Sequence, residues 1–167
     1  ASFAIKNEDS PEIIFAIPYD HKQGTVGNYL ASMTYHYNQK YAFDPAGVYQ
    51  WCGNGICAQP GLYSSFEAND VRRNSLLIGQ QYNAATGAEV LMDNGEPLNY
   101  TEDIQNFTKA AQNEGARLDK YEWSATDSWE RDNDWVLMRY AEVLMMQAEA
   151  NFRLGFTQNA LDNINLV

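Results

Sequence analysis

The last third of the chain, residues 135–167, carries its most regular pattern and predicts two helices joined by a tight turn. Apolar or small residues recur there every three or four positions, which places them on one face of a helix. Gly155 stands where a left-handed residue commonly ends a helix, and Thr157 is predicted to cap the second helix. The predicted stripe consists of Leu137, Ala141, Leu144, Ala148 and Phe152, continued by Ala160, Leu161 and Ile164.

This spacing is typical of a tetratricopeptide-type repeat, in which small residues let two antiparallel helices approach closely. A single helix pair leaves one apolar face uncovered, and stable arrays need about three or more repeats. We therefore expect other helices to pack against this hairpin. We also expect part of what covers this hairpin to lie outside the 167 residues.

The region before the hairpin shows little sustained periodicity. Residues 12–17 read E-I-I-F-A-I and predict a buried strand that ends before Pro18. Residues 76–82 and 88–92 predict two strands separated by a turn at residues 83–87. The chain is thus predicted to be one mainly α unit. It has a loop-rich part with short strands over residues 1–134 and a helical-repeat hairpin over residues 135–167.

The charge and hydropathy of the chain limit the classes of partner that it can bind. Eleven basic and 22 acidic residues give a net charge of −11, without a basic cluster that could neutralise phosphates. We therefore expect no nucleic-acid partner and no binding to an anionic lipid surface. No run approaches the about 20 apolar residues of a membrane span, so any membrane attachment is expected to come from a segment outside this sequence. A neutral ligand meets no electrostatic penalty.

Two cysteines, Cys52 and Cys57, lie in the segment W-C-G-N-G-I-C. Four intervening residues form a loop short enough for a disulfide, and two free thiols or two small buried apolar side chains are the alternatives. A zinc site would need further ligands, and His21 and His36 lie far away in the sequence. No metal site is predicted.

The chain has four tryptophans and eleven tyrosines, many in loop-like surroundings. An aromatic face suits a sugar because the C–H groups of a pyranose pack on the π surface, while nearby amides bind the hydroxyls. The alternative for each residue is that it fills the core, the commoner fate of a large aromatic side chain. The candidates for ligand contact are Tyr49, Trp51, Tyr63, Trp123 and Trp129.

Catalytic motifs are missing from the sequence. The serines lack a G-x-S-x-G elbow, and no glycine-rich phosphate loop occurs. Glycoside hydrolysis needs two opposed carboxylates, and Glu67, Asp70 and Glu122 are not marked as a pair by their surroundings. Asp70 and Arg72 are instead predicted to form a pair that pins a loop to the helical scaffold. We expect no enzymatic activity and no cofactor.

Three segments, in the same order, resemble the SusD/RagB family of surface lipoproteins, which capture nutrients at the outer membrane of Bacteroidetes-type bacteria. Residues 7–20 read N-E-D-S-P-E-I-I-F-A-I-P-Y-D, and residues 54–73 read N-G-I-C-A-Q-P-G-L-Y-S-S-F-E-A-N-D-V-R-R. Residues 139–150, R-Y-A-E-V-L-M-M-Q-A-E-A, are similar to the helical signature of the family.

The resemblance implies that the 167 residues are an interior piece of a longer SusD-like protein, and it implies a function that the residues alone do not. It implies a non-catalytic protein on the extracellular face of the outer membrane, held by a lipid anchor outside this sequence. Such a protein would close over a SusC-like TonB-dependent transporter and deliver oligosaccharides to it. The oxidising compartment would favour the disulfide between Cys52 and Cys57. A peptide ligand is the alternative within the family, and a helical-repeat scaffold that binds protein partners is the competing class.

Overall fold

Strands β1 (Ile13–Ile17) and β6 (Trp135–Arg139) pair antiparallel and join the two ends of the loop-rich part. The computed structural model describes residues 2–24, 27–44, 46–48, 50–123 and 131–167. In the ribbon, Ile13 lies opposite Arg139 and Ile17 opposite Trp135, with an irregular register between these pairs. Glu12 fastens one end, because its carboxylate accepts a hydrogen bond from the Arg139 guanidinium at 2.9 Å.

The predicted strand at residues 12–17 is confirmed, but its predicted burial is wrong. Phe15 is 59% exposed and Ile14 is 52% exposed. Among the described residues, β6 is the only strand that pairs with β1, so the ribbon has two strands. A two-stranded ribbon buries little of its apolar surface by itself.

Residues 135–139 were predicted to open a helix, and this prediction is wrong because they form β6. Leu137 therefore lies on a strand, outside the helical stripe. The helix starts at Tyr140, whose backbone N–H donates to the Glu12 carbonyl at 2.8 Å. Pairing with a distant strand supplies the backbone hydrogen bonds here, and tertiary context of this kind overrides local helical periodicity.

The middle of the chain contains two very short strand pairs. β2 (Leu76–Leu77) pairs with β5 (Arg117–Leu118), and β3 (Gly79–Gln80) pairs with β4 (Asn99–Tyr100). The strand predicted over residues 76–82 is divided at Ile78 into β2 and β3, and Gly79, which opens β3, has a φ of +77° that interrupts the regular extended conformation. The turn predicted at residues 83–87 is present, since the N–H of Asn83 donates to the Ala88 carbonyl at 2.8 Å.

Helices before residue 135 are short. They are α1 (Leu30–Thr34), α2 (Lys40–Phe43) and α3 (Leu62–Ser65), with 3₁₀ turns at His21–Gln23, Tyr37–Gln39 and Val71–Ser75. Long helices occur only as α4 (Tyr140–Arg153) and α5 (Thr157–Ile164) in the described ranges. The fold is therefore mixed rather than mainly α, since loops and short elements make up most of it.

The turn between α4 and α5 follows the prediction at Gly155. This residue has a φ of +83°, and its N–H donates to the Phe152 carbonyl at 3.0 Å. The N–H of Phe156 donates to the Asn151 carbonyl at 2.8 Å, which completes a Schellman motif. The predicted cap at Thr157 is wrong: the N-cap position is Phe156, and its side chain makes no capping hydrogen bond at the start of α5.

The two long helices pack against each other through small residues. Ala141, Leu144, Ala148 and Ala160 are buried, as the stripe predicted. Three other members of the predicted stripe are exposed because they border an open groove between α4 and α5: Phe152 at 67%, Leu161 at 48% and Ile164 at 46%. One helix pair does not test the repeat itself, which stays a prediction.

The loop-rich part has small apolar clusters in place of one large core. Buried polar side chains connect its segments as well. Asn7, 1% exposed, donates to the Asp134 carbonyl at 3.0 Å and accepts from the Asp134 N–H at 2.8 Å. The buried members of the clusters are Ala42, Val90, Leu98 and Tyr100; Tyr35 and Cys52; and Ala58, Leu76 and Ala116.

Candidate ligand-binding site

The segment that follows Trp51 is fixed to the end of α1 by its backbone. The N–H groups of three consecutive residues, Gly53, Asn54 and Gly55, donate to carbonyls of residues 32–35 at 2.7–2.8 Å. Carbonyls at the end of a helix lack intrahelical partners, so they are free to accept these bonds. These three hydrogen bonds hold the backbone of the irregular loop in place, as backbone hydrogen bonds do in a helix or a strand.

Arg117 holds the same loop from the other side. Arg117 is only 3% exposed, and its guanidinium donates to the Asn54 side-chain oxygen at 2.8 Å. It also donates to the carbonyls of Gln112, Glu114 and Gly115 at 2.8–2.9 Å. The Asn54 side chain returns a bond to the Gln112 carbonyl at 2.9 Å. The segments at residues 53–55 and 112–117 therefore form one hydrogen-bonded unit.

Asn54 is held in an uncommon backbone conformation. Its φ of +49° makes it the one non-glycine residue with positive φ in the part of the chain that the structure describes. Asparagine tolerates this left-handed region better than most residues. The bonds to Arg117 and Gln112 stabilise the turn that brings Gly53 back under the Trp51 side chain.

Among the three sequence-predicted candidates that the structure describes, Trp51 is the most exposed. It is 46% exposed, whereas the next residue, Cys52, is 3% exposed and packs with Tyr35. The outer edge of the six-membered ring of Trp51 fills the space that a Cβ atom at Gly53 would need. A large aromatic surface is thus offered from a loop with little freedom to move.

Trp123 is placed differently. Its ring stacks on Phe43 with centroids 4.4 Å apart and contacts Tyr35 at 5.1 Å. The Arg131 guanidinium carbon lies 3.3 Å from the ring centroid, within the range of a cation–π interaction. These partners make Trp123 part of the core near Cys52, which agrees with the alternative stated for the aromatic residues in general.

Tyr63 lies near a separate cluster. It is half-buried and packs against the cluster of Ala58, Leu76 and Ala116. The Arg73 guanidinium carbon sits 4.1 Å from the Tyr63 ring centroid. A ligand at this ring would have to displace Arg73. Tyr49 and Trp129, the other two candidates, lie outside the described residues.

Cys52 and Cys57 are free thiols in the structure, which is one of the alternatives that the sequence leaves open. Their surroundings give the physical reason. Cys52 packs in the cluster with Tyr35, while the Cys57 sulfur faces Gly115 and the neighbouring Ile104. Burial raises the pKa of the Cys52 thiol to about 12, so this side chain is a neutral apolar group at physiological pH.

Asp70 and Arg72 pair with each other, but they do not pin a loop to the helical scaffold as predicted. The contact is local: the Arg72 guanidinium donates to the Asp70 carboxylate at 2.5 Å, and Arg72 is largely exposed. Hydrogen bonds from Arg72 lower the pKa of the Asp70 carboxyl. A carboxylate held ionised in this way is a poor general acid.

A metal site is not found within the described ranges, where no group of three or more His, Cys, Asp or Glu side chains converges. None of the helices described there is long and apolar enough to cross a bilayer.

A second aromatic surface was missed by the sequence analysis. Tyr19, Tyr29 and Trp135 line a cleft of about 310 Å³, together with Met33 of α1. The periodic pattern had assigned Trp135 to a helix, which concealed its place beside β1. The pairing of β1 with β6 is the feature that brings Trp135 to this cleft.

The hairpin carries a larger apolar groove of about 570 Å³ between α4 and α5. Met145, Met146 and Phe152 border it from α4, and Leu161 and Ile164 from α5. All five side chains are 46–67% exposed. Such a face suits another helix better than a sugar, because it offers few hydrogen-bonding groups.

Comparison with known proteins finds one matching family and two solved structures that resemble this chain. The sequence model of the SusD family matches residues 11–167. Surface glycan-binding protein A from Bacteroides thetaiotaomicron has a similar structure, with a TM-score of 0.60 and 23% identity over 96% of this chain and 35% of that protein. Surface glycan-binding protein A from Bacteroides uniformis follows with a TM-score of 0.55 and 20% identity, over 95% and 30% respectively.

These structures share the fold of the chain, and the chain spans about a third of the length of each. No curated protein sequence matches the chain significantly.

Proposed function

The chain belongs to the SusD family, and on that premise we propose that it is a non-catalytic glycan-binding protein. The observation that carries the proposal is the Trp51 indole, 46% exposed on a loop with hydrogen-bonded backbone. Both solved proteins of similar fold are described as surface glycan-binding proteins, which supports the same class of ligand.

The physical basis is stacking of a sugar on the indole. The C–H face of a pyranose covers apolar aromatic surface, and the hydroxyl groups at its rim stay hydrogen-bonded to water or to loop amides. A rigid aromatic residue loses little conformational entropy when a ligand binds, so one platform supports useful affinity. The net charge of −11 favours neutral glycans over anionic ones.

Delivery is the second part of the proposal. We infer that the protein works on the outer face of the outer membrane, attached by a lipid anchor outside this sequence. There it would pass oligosaccharides to a SusC-like TonB-dependent transporter, as the resemblance implies. Family membership supports this part, and copurification of the intact protein with such a transporter from detergent-solubilised outer membranes tests it.

A helical-repeat scaffold for protein partners is the second candidate function. The groove between α4 and α5 favours it, because five exposed apolar side chains line one continuous surface. The two functions use different residues. Glycan binding depends on Trp51, whereas scaffold binding depends on residues such as Phe152.

The test is isothermal titration calorimetry of the intact protein with neutral hexasaccharides of glucose, xylose and mannose, and with unrelated hexapeptides. Trp51→Ala should abolish binding of the sugar that the parent binds. Phe152→Ala, which removes an aromatic ring that is 67% exposed on α4, is the matched control and should bind as the parent does. Equal affinity of Trp51→Ala and the parent for every sugar would refute the platform. Binding of peptides alone would support the family alternative.

A further inference from the structure

Gly53 lies directly against the ring that the proposed function depends on. A Cβ atom added at Gly53 would lie 2.6 Å from Cη2 of Trp51 and 3.2 Å from Cζ2 and Cζ3. These atoms form the outer edge of the six-membered ring. The indole therefore rests on a backbone position where any side chain would occupy the same space.

The backbone itself does not explain a glycine here. Gly53 is not among the glycines with positive φ, so its conformation is open to other residues. Gly55, two positions further along, has the same property. A Cβ atom at Gly55 would meet Met33 at 3.6 Å, an ordinary van der Waals contact. Of these two glycines, Gly53 is the one at which an added Cβ atom would meet the Trp51 ring.

The loop cannot retreat to relieve the contact. The Gly53 N–H donates to the Ser32 carbonyl at 2.7 Å, and the next two N–H groups are bonded as well. Arg117 holds Asn54 from the opposite side. The Trp51 side chain rotates about two single bonds, so a Cβ atom at position 53 would move the ring and leave the loop in place.

We propose that Gly53 is a positioning residue for glycan binding: its bare backbone forms the seat that holds the Trp51 indole flat and turns one face outward. The inference rests on the proposed function of Trp51. Because the seat orients the ring before any ligand arrives, the ligand does not have to order it. A methyl group at position 53 lifts the ring and removes this advantage.

The experiment compares Gly53→Ala with Gly55→Ala in the intact protein. Affinities are measured by titration calorimetry for maltohexaose, cellohexaose, laminarihexaose, xylohexaose and mannohexaose. Gly53→Ala should weaken the sugar that the parent binds by about tenfold, a substantial part of the effect of losing one aromatic platform. Gly55→Ala should stay within about twofold, since its new methyl group makes an ordinary contact. Equal midpoints of urea unfolding for the two variants show that the loop is intact.

A second pair of variants separates positioning from a general distortion of the loop. Trp51→Phe removes the ring atoms that a Cβ atom at position 53 would meet. In the parent it should weaken binding, because the platform becomes smaller. In the double variant, Trp51→Phe should cause no loss of affinity beyond that of Gly53→Ala alone. It should instead restore part of the affinity that Gly53→Ala loses. Fold-changes that multiply in the double variant would overturn the inference.

The outcomes also separate this inference from the proposed function. If Trp51→Ala binds every sugar as the parent does, the platform itself is refuted. If Trp51→Ala loses binding while Gly53→Ala matches the parent, the platform stands and the seat is refuted. If Trp51→Ala and Gly53→Ala both lose glycan binding while Gly55→Ala binds as the parent does, the platform and the seat are both supported.

Discussion

Residues 50–57 and the α4–α5 hairpin differ in what holds their backbone in place. The loop is ordered by hydrogen bonds to distant segments, among them those from Gly53 to α1 and from Arg117 to Asn54. The hairpin satisfies its own backbone and relies on small apolar contacts such as Leu144. Backbone order and regular secondary structure are therefore separate properties in this chain: the irregular loop is held from two sides, whereas the regular hairpin leaves a large apolar face uncovered.

The largest expected effect comes from removing the side chain that holds the loop. Arg117→Met leaves the carbonyls of Glu114 and Gly115 and the side-chain oxygen of Asn54 without their donor, whereas the Gln112 carbonyl keeps its bond from the Asn54 side chain. We expect the free energy of unfolding to fall by about 4 kcal/mol, because buried acceptors without partners cost about 1–3 kcal/mol each. Urea unfolding followed by circular dichroism measures it. Arg72→Met, an exposed arginine with a local partner, is the control and should unfold like the parent.

The hairpin should respond to a change in packing. Leu144→Ala removes a side chain of α4 that is only 6% exposed. We expect a loss of about 2–3 kcal/mol in the free energy of unfolding, from lost burial and the cavity left behind. Phe152→Ala in the same helix should change it by no more than about 0.5 kcal/mol, because its ring is already exposed to solvent. Equal losses in the two variants would mean that the groove is closed in solution.

The same contrast explains which features the sequence predicted. The turn at Gly155 and the strand at residues 12–17 depend on local chemistry, and both were predicted where they occur. β6 was missed because its partner, β1, lies at the other end of the loop-rich part. The break at Gly79 was missed because a positive φ cannot be read from a run of apolar residues.

The candidate site shows the same division. Composition identified the loop aromatics as a group, but exposure separates Trp51 from Trp123, and exposure depends on distant contacts. Phe43 and Arg131 cover Trp123, and neither is near it in the local pattern of the sequence. The role proposed for Gly53 could not be predicted from the sequence for a related reason. The spacing of Trp51 and Gly53 does not reveal that the ring folds back against the glycine.

A methyl group added at Gly155 and one added at Gly53 should lower different quantities, the free energy of unfolding in the first case and the glycan affinity in the second. Gly155→Ala forces alanine into a φ of +83°, while its Cβ atom would meet no other heavy atom within 4 Å. We expect the free energy of unfolding to fall by about 1 kcal/mol, since the cost is backbone strain alone. At Gly53 the backbone is unstrained and the cost should appear in glycan affinity. Gly155→Asn should recover part of the loss, because asparagine tolerates the left-handed region.

The smallest expected effect is a dependence on alkaline pH that arises in the loop. Burial raises the pKa of Cys52 from 9.0 to about 12, so the native thiol stays protonated while the unfolded chain ionises. The stability that this group contributes is therefore fully present below pH 9 and is lost as the pH rises towards 12. Between pH 8 and pH 9.5 we expect Cys52 to account for a loss of about 0.8 kcal/mol in the free energy of unfolding. Urea unfolding of the reduced parent and of Cys52→Ala, measured at both pH values, isolates this contribution, because the packing cost of the substitution is the same at each. If the two proteins lose equal stability over this range, the thiol is not buried as described, and the fixed loop beneath Trp51 loses one of its anchors.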